Sequence, residues 1–74
     1  MTRMPSVSGQ DAVRAFAKLG YTVDHQTGSH IILRQQQVPH RRLTVPDHRE
    51  LAKGTLRALI RQAGLTVDAF RELL

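Results

Sequence analysis

Gly28-Ser29-His30 ends a polar turn and opens the apolar run Ile31-Ile32-Leu33, and Arg34, Arg41 and Arg42 follow closely. Histidine is the side chain whose charge changes near neutral pH. One held at the start of a strand beside guanidinium groups is therefore placed to move a proton next to a phosphodiester. Gly28 at the turn predicts a backbone conformation closed to other residues, with room for a substrate backbone to approach, while Ser29 can bond either the turn or a phosphate. A purely structural turn accounts for both residues equally well.

Other chemistries fit poorly. Ser29 and His30 are adjacent, so on a strand they point to opposite faces, which argues against a serine nucleophile activated by that histidine. The four histidines at 25, 30, 40 and 48 match no standard zinc-ligand spacing, and there is no cysteine to assist them, so neither a metal nor another cofactor is expected. His48, after a proline turn, is either an accessory proton carrier or a hydrogen-bonded structural residue. His25 and His40 have no motif around them and are expected as exposed loop or strand residues.

The charge is uneven. Eleven Lys and Arg oppose six Asp and Glu for a formal +5, and the whole excess falls between residues 30 and 62, where seven basic groups face only Asp47 and Glu50. Such a localised excess suits a polyanion or an acidic protein partner, or simply a solvated surface. Arg outnumbers Lys nine to two, which favours phosphate or carboxylate recognition through the paired donors of the guanidinium. Arg34, Arg41, Arg42 and Lys53 are the candidate anion contacts, with Lys53 expected just ahead of a helix start at Thr55.

Seventy-four residues make one domain, residues 1–74, with little room for a deep cavity, so a shallow surface acting on a polymer is expected. Without cysteine the core alone must hold the chain, and the cytoplasm is the natural compartment. No stretch approaches the roughly 18 apolar residues of a membrane span, so no membrane association is expected.

The elements that must position these residues follow from periodicity. Ser8 caps a first helix with Asp11 three residues on, and Val13, Phe16 and Ala17, joined by Ala12 and Leu19, form its apolar stripe before Gly20 stops it. Tyr21-Thr22-Val23 is β-prone and runs into Asp24-His25-Gln26 before a turn at Thr27-Gly28, Ser29 to Arg34 is a second strand, and Arg41 to Val45 is a third after a polar link containing Pro39. The pleat sets Ile31, Leu33, Leu43 and Val45 against helices and leaves His30, Arg34 and Arg42 on the open face, with Arg42 beside His30. Leu56, Leu59, Ile60 and Ala63 then form a helix that Gly64 closes, and Thr66 caps a last one burying Val67, Phe70 and Leu73 or Leu74. The fold class is α+β: α-β-β-β-α with a short C-terminal helix, a three-stranded antiparallel sheet and helices on one face.

In this order, the Ser8-Gly9 helix start, Leu19-Gly20-Tyr21, Gly28-Ser29-His30, Val45-Pro46-Asp47-His48, Lys53-Gly54-Thr55-Leu56-Arg57 and Gln62-Ala63-Gly64-Leu65 resemble the HicA family of toxins over residues 6–74. The resemblance implies a fold like a double-stranded-RNA-binding domain, an mRNA-cleaving activity and a HicB-type antitoxin that masks the active site. It also implies that His30 is the catalytic residue. The family often has a second histidine or an aromatic residue just after that motif, where this chain has Ile31 and then Ile32-Leu33, so one accessory proton carrier is missing.

Metal-free RNA cleavage needs a base for the 2′-hydroxyl, an acid for the leaving 5′-oxygen and donors for the phosphate, and His30 suits either proton role. The expected protein is an endoribonuclease, monomeric when free and hetero-oligomeric with its antitoxin. The competing readings are a non-catalytic RNA-binding module of the same fold and an adaptor for an acidic protein. The three aromatic residues are Phe16, Tyr21 and Phe70. Two of them are expected in the core, so base stacking and sequence selectivity should be weak.

Overall fold

Ile31 and Leu33 on one strand and Leu43 and Val45 on the next escape water together only if both strands turn the same face to a helical layer. The computed structural model describes residues 3–74 and orders them as α1 (Gly9–Ala17), β1 (Tyr21–Thr27), β2 (His30–Gln35), β3 (Arg42–Pro46), α2 (Lys53–Gln62) and α3 (Val67–Glu72). The strands form an antiparallel meander with β2 in the centre, and Ile31 pairs with Val45 and Leu33 with Leu43. All four side chains are buried, while His30, Arg34, Arg42 and Thr44 are exposed on the other face. This is the expected α+β order with an open sheet, two layers deep and 17 Å across its shortest dimension.

Helix α1 begins where the sequence places it, in a reciprocal cap: the Asp11 amide donates to Ser8 Oγ at 3.0 Å and the Ser8 amide donates to the Asp11 carboxylate at 3.1 Å. Its buried face is Gly9, Ala12, Ala15 and Phe16, which corrects the expected stripe. Ala17 is exposed and Ala15 takes its place, because small residues at positions 12 and 15 let the helix sit close while Phe16 supplies the bulk. The Phe16 ring meets Tyr21 edge-on at 5.8 Å and Phe70 at 5.3 Å, so all three aromatic side chains of the chain belong to the core.

Helix α2 starts at Lys53, two residues ahead of the expected Thr55, with Ala52 as a cap that offers no side-chain oxygen. Gly54 in the first turn does not delay it. Leu56, Leu59, Ile60 and Ala63 are buried as predicted. Thr66 caps α3 by accepting from the Ala69 amide at 3.1 Å, and it is Leu73, not the exposed Leu74, that packs against the core.

Strand β1 departs from simple alternation. Tyr21 is buried, but the pairing passes from Val23–Leu33 to His25–Ile32, leaving Asp24 as an unpaired bulge residue. Val23, though in register with an inward residue, is 53% exposed, since β1 is an edge strand that runs beyond its helical cover.

Candidate functional site

His30 stands at the first position of β2, opposite Thr27 on β1 and Pro46 on β3. The link from Thr27 to His30 is the two-residue turn Gly28-Ser29. Gly28 has φ +57°, and Ser29 is not in the left-handed region, the glycine-first pattern of a type II′ hairpin turn. A Cβ at Gly28 would meet open space, so the turn is approachable from solvent.

The turn is held from behind. The Asp47 amide donates to the Ser29 carbonyl at 2.6 Å. Gln26 Nε2 donates to the Gly28 carbonyl at 3.1 Å and reaches one Asp47 carboxylate oxygen at 3.5 Å, while Gln10 Nε2 donates to the other at 3.1 Å. The N-terminal end of α1 closes the frame, with the Gly9 amide donating to the His48 carbonyl at 2.9 Å. A side chain at Gly9 would run into the Pro46 carbonyl oxygen, so only glycine allows this approach. β1, the turn, the end of β3 and the start of α1 thus converge on the peptide that carries His30. Its ring is exposed and makes no hydrogen bond to a described residue.

The other candidates are distributed differently from the expectation. Arg34 and Arg42 are cross-strand partners on the same open face, but they lie four residues along β2 from His30, about 13 Å at strand rise. Arg42 is therefore not beside His30. The reason is the antiparallel reversal: Arg34 and Arg42 flank the β2–β3 link, where the Gln35 amide donates to the Arg41 carbonyl at 2.8 Å, so His30 at the far end of β2 meets the end of β3. The Arg41 guanidinium lies against Gly64, just after α2, with Nη1 3.1 Å from where a Cβ there would stand. Lys53 donates to Ser6 Oγ at 2.9 Å and to the Pro5 carbonyl at 3.2 Å, which ties α2 to the N-terminal segment. His48 is exposed near the clamp and contributes its carbonyl to Gly9.

Gln10 and Gln26 carry no motif in the sequence, and Asp47, though within Val45-Pro46-Asp47-His48, shows its role only through contacts between distant segments. Another participant without a motif is His25, which the bulge at Asp24 turns onto the open face. Its Nδ1 lies 2.8 Å from Asp24 Oδ2. That hydrogen bond, with the nearby Arg42 and Arg34 guanidinium groups assisting, holds the Asp24 carboxyl below its usual pKa, so Asp24 is ionised at neutral pH. Asp24 and Arg34 also border a shallow depression of about 330 Å³ with Thr22, Gln35 and His40. Among the described residues no three histidine or carboxylate groups converge as a metal site would require, and no helix is long and apolar enough to cross a membrane.

Taken as chemistry, the open face offers a proton carrier at one end and a pair of guanidinium groups at the other, on a surface flat enough for an extended anionic polymer. Fold and site together define a small α+β domain with one sheet face left uncovered. The profile of the HicA toxin of bacterial toxin–antitoxin systems matches residues 9–65, and the chain belongs to that family. No curated protein matches the chain. Membership in a toxin–antitoxin family implies an antitoxin as partner.

Proposed function

We propose that this chain is a metal-independent endoribonuclease that cleaves mRNA with His30 as general acid/base, and that a HicB-type antitoxin neutralises it by covering the open sheet face. The observation that carries the reading is the exposed His30 ring on a rigidly framed turn, sharing its face with Arg34 and Arg42. In the reaction the ribose 2′-oxygen attacks the adjacent phosphorus and the bond to the 5′-oxygen breaks. The products are a 2′,3′-cyclic phosphate and a 5′-hydroxyl. Arg34 and Arg42 hold the backbone of the strand away from the scissile bond, and the Gly28-Ser29 turn lets the ribose-phosphate approach. The cytoplasm, where mRNA is translated, is the compartment in which this activity operates, with the free toxin a monomer and the silenced one a hetero-oligomer.

The deciding experiment compares purified wild type with His30→Ala on a defined mRNA. A positioned proton carrier contributes about 10²- to 10⁴-fold, so cleavage should fall by that factor with melting temperature and RNA affinity nearly unchanged, and growth arrest on expression should disappear. A folded His30→Ala protein that still cleaves removes His30 from the mechanism. A wild type that binds RNA and never cleaves it is instead a binding module.

A further inference from the structure

We infer that His25, held by Asp24, is the second catalytic histidine of the same site: its Nε2 takes the proton from the attacking 2′-hydroxyl while His30 delivers one to the departing 5′-oxygen. The inference rests on the ribonuclease reading and deepens it.

Three observations carry the assignment. Unbroken alternation from the buried Tyr21 would turn His25 toward the helices, but the bulge at Asp24 advances the phase so that His25 pairs with Ile32 and shares the open face with His30. Since His30 pairs with Thr27, His25 is its diagonal neighbour across two strands, at the roughly 7–8 Å that separates such positions. One phosphodiester between the two rings can then present its nucleophilic oxygen to one and its leaving oxygen to the other, each within hydrogen-bond reach. Finally, Asp24 as a carboxylate only accepts, so the 2.8 Å contact makes His25 Nδ1 the donor and leaves Nε2 of the neutral ring with the lone pair a base needs. The His25 side chain is 52% exposed, which leaves the ring open to a ligand.

The protons balance. The 2′-hydroxyl proton passes to His25 as the new oxygen–phosphorus bond forms, the 5′-oxygen leaves with the proton of the His30 imidazolium, and exchange with water restores both rings. The remaining charged or titratable groups on this side are Asp24 on β1, Arg34 on β2, Arg42 on β3 and, on the β2–β3 link, His40, which borders the depression with Asp24 and Arg34.

The test uses full-length wild type, His25→Ala and His30→Ala on two substrates: a defined RNA, and uridine 3′-(4-nitrophenyl phosphate), whose nitrophenolate leaves without a proton. On RNA both variants should lose about 10²- to 10⁴-fold. On the activated ester His30→Ala should recover most of the wild-type rate and His25→Ala should not. The pH dependence of RNA cleavage gives an independent reading: the wild type should show both an ascending and a descending limb, and His25→Ala should lose the ascending limb, where rate grows as the base deprotonates. His25→Ala at wild-type rate on RNA overturns the assignment. So does rescue of His25→Ala in place of His30→Ala by the ester, or an unchanged ascending limb. If His30→Ala cleaves RNA normally, the ribonuclease reading built on His30 has failed first, and the two failures are distinct.

Discussion

The His30 ring makes no hydrogen bond to a described residue that would fix it, so its position is inherited from its neighbours. The Ser29 carbonyl is pinned by the Asp47 amide, and Asp47 is gripped by Gln10 and Gln26. Gly9 is the residue on which this frame depends most directly, because α1 meets the end of β3 through backbone alone. Gly9→Ala should therefore cost about 1–3 kcal/mol through overpacking, although alanine is the better helix former. The same variant should lower cleavage of RNA, since relief of the clash moves Pro46–His48 away from the turn. Urea denaturation beside a cleavage assay checks both; a Gly9→Ala protein as stable and active as wild type would mean the contact relaxes without consequence.

At the level of elements, α1 carries a pH-dependent contribution. The Ser8 amide, then the Ser8 hydroxyl environment and Arg14, hold the Asp11 carboxyl below its ordinary pKa. A carboxyl whose pKa is lowered by folding contributes stability that is present above its unfolded value, near 3.8, and is lost as pH falls through the folded value. The melting temperature should accordingly decline below about pH 4, and the decline should be shallower in Asp11→Asn, measured by thermal melts across an acid series. The elements themselves were legible wherever one simple period governed. Ile31, Leu33, Leu43 and Val45 announce two half-buried strands, Leu56 to Ala63 announces a helix, and Ser8 with Asp11 announces its predecessor's cap. The pairing of Arg34 with Arg42 was also implicit in any antiparallel connection between β2 and β3. What escaped was the phase change at Asp24, since a bulge leaves no mark in hydrophobic periodicity, and with it the orientation of His25. The clamp of Gln10, Gln26 and Asp47 escaped for another reason: polar contacts between remote segments depend on packing that local pattern does not record. Likewise, nothing local indicated that the ammonium of Lys53 would be occupied by Ser6 and Pro5.

Across the whole molecule, the basic segment that looks continuous from residue 30 to residue 62 is divided by the fold. Arg34 and Arg42 stay on the bare sheet, Arg41 turns to Gly64, and Arg57 and Arg61 are exposed on α2, which packs on the opposite side. RNA binding should therefore respond unequally to charge reversal. Arg42→Glu should weaken binding and make it less sensitive to salt, by about 0.7 log units of affinity per log unit of salt for each single-strand phosphate the variant no longer neutralises. Arg57→Glu should leave the slope near wild type. Titrations at several salt concentrations distinguish them, and equal effects would show that the polymer wraps both faces.

The grip of Gln10 on Asp47 spans 37 positions of the chain. A polypeptide that has emerged only as far as the hairpin already displays the imidazole, yet the frame behind it is incomplete, because Asp47 and the end of β3 that the start of the first helix meets have not been made. On the proposed reading, cleavage is thereby tied to completion of the tertiary structure, and a chain cut short before Asp47 should be inactive however faithfully its turn is reproduced.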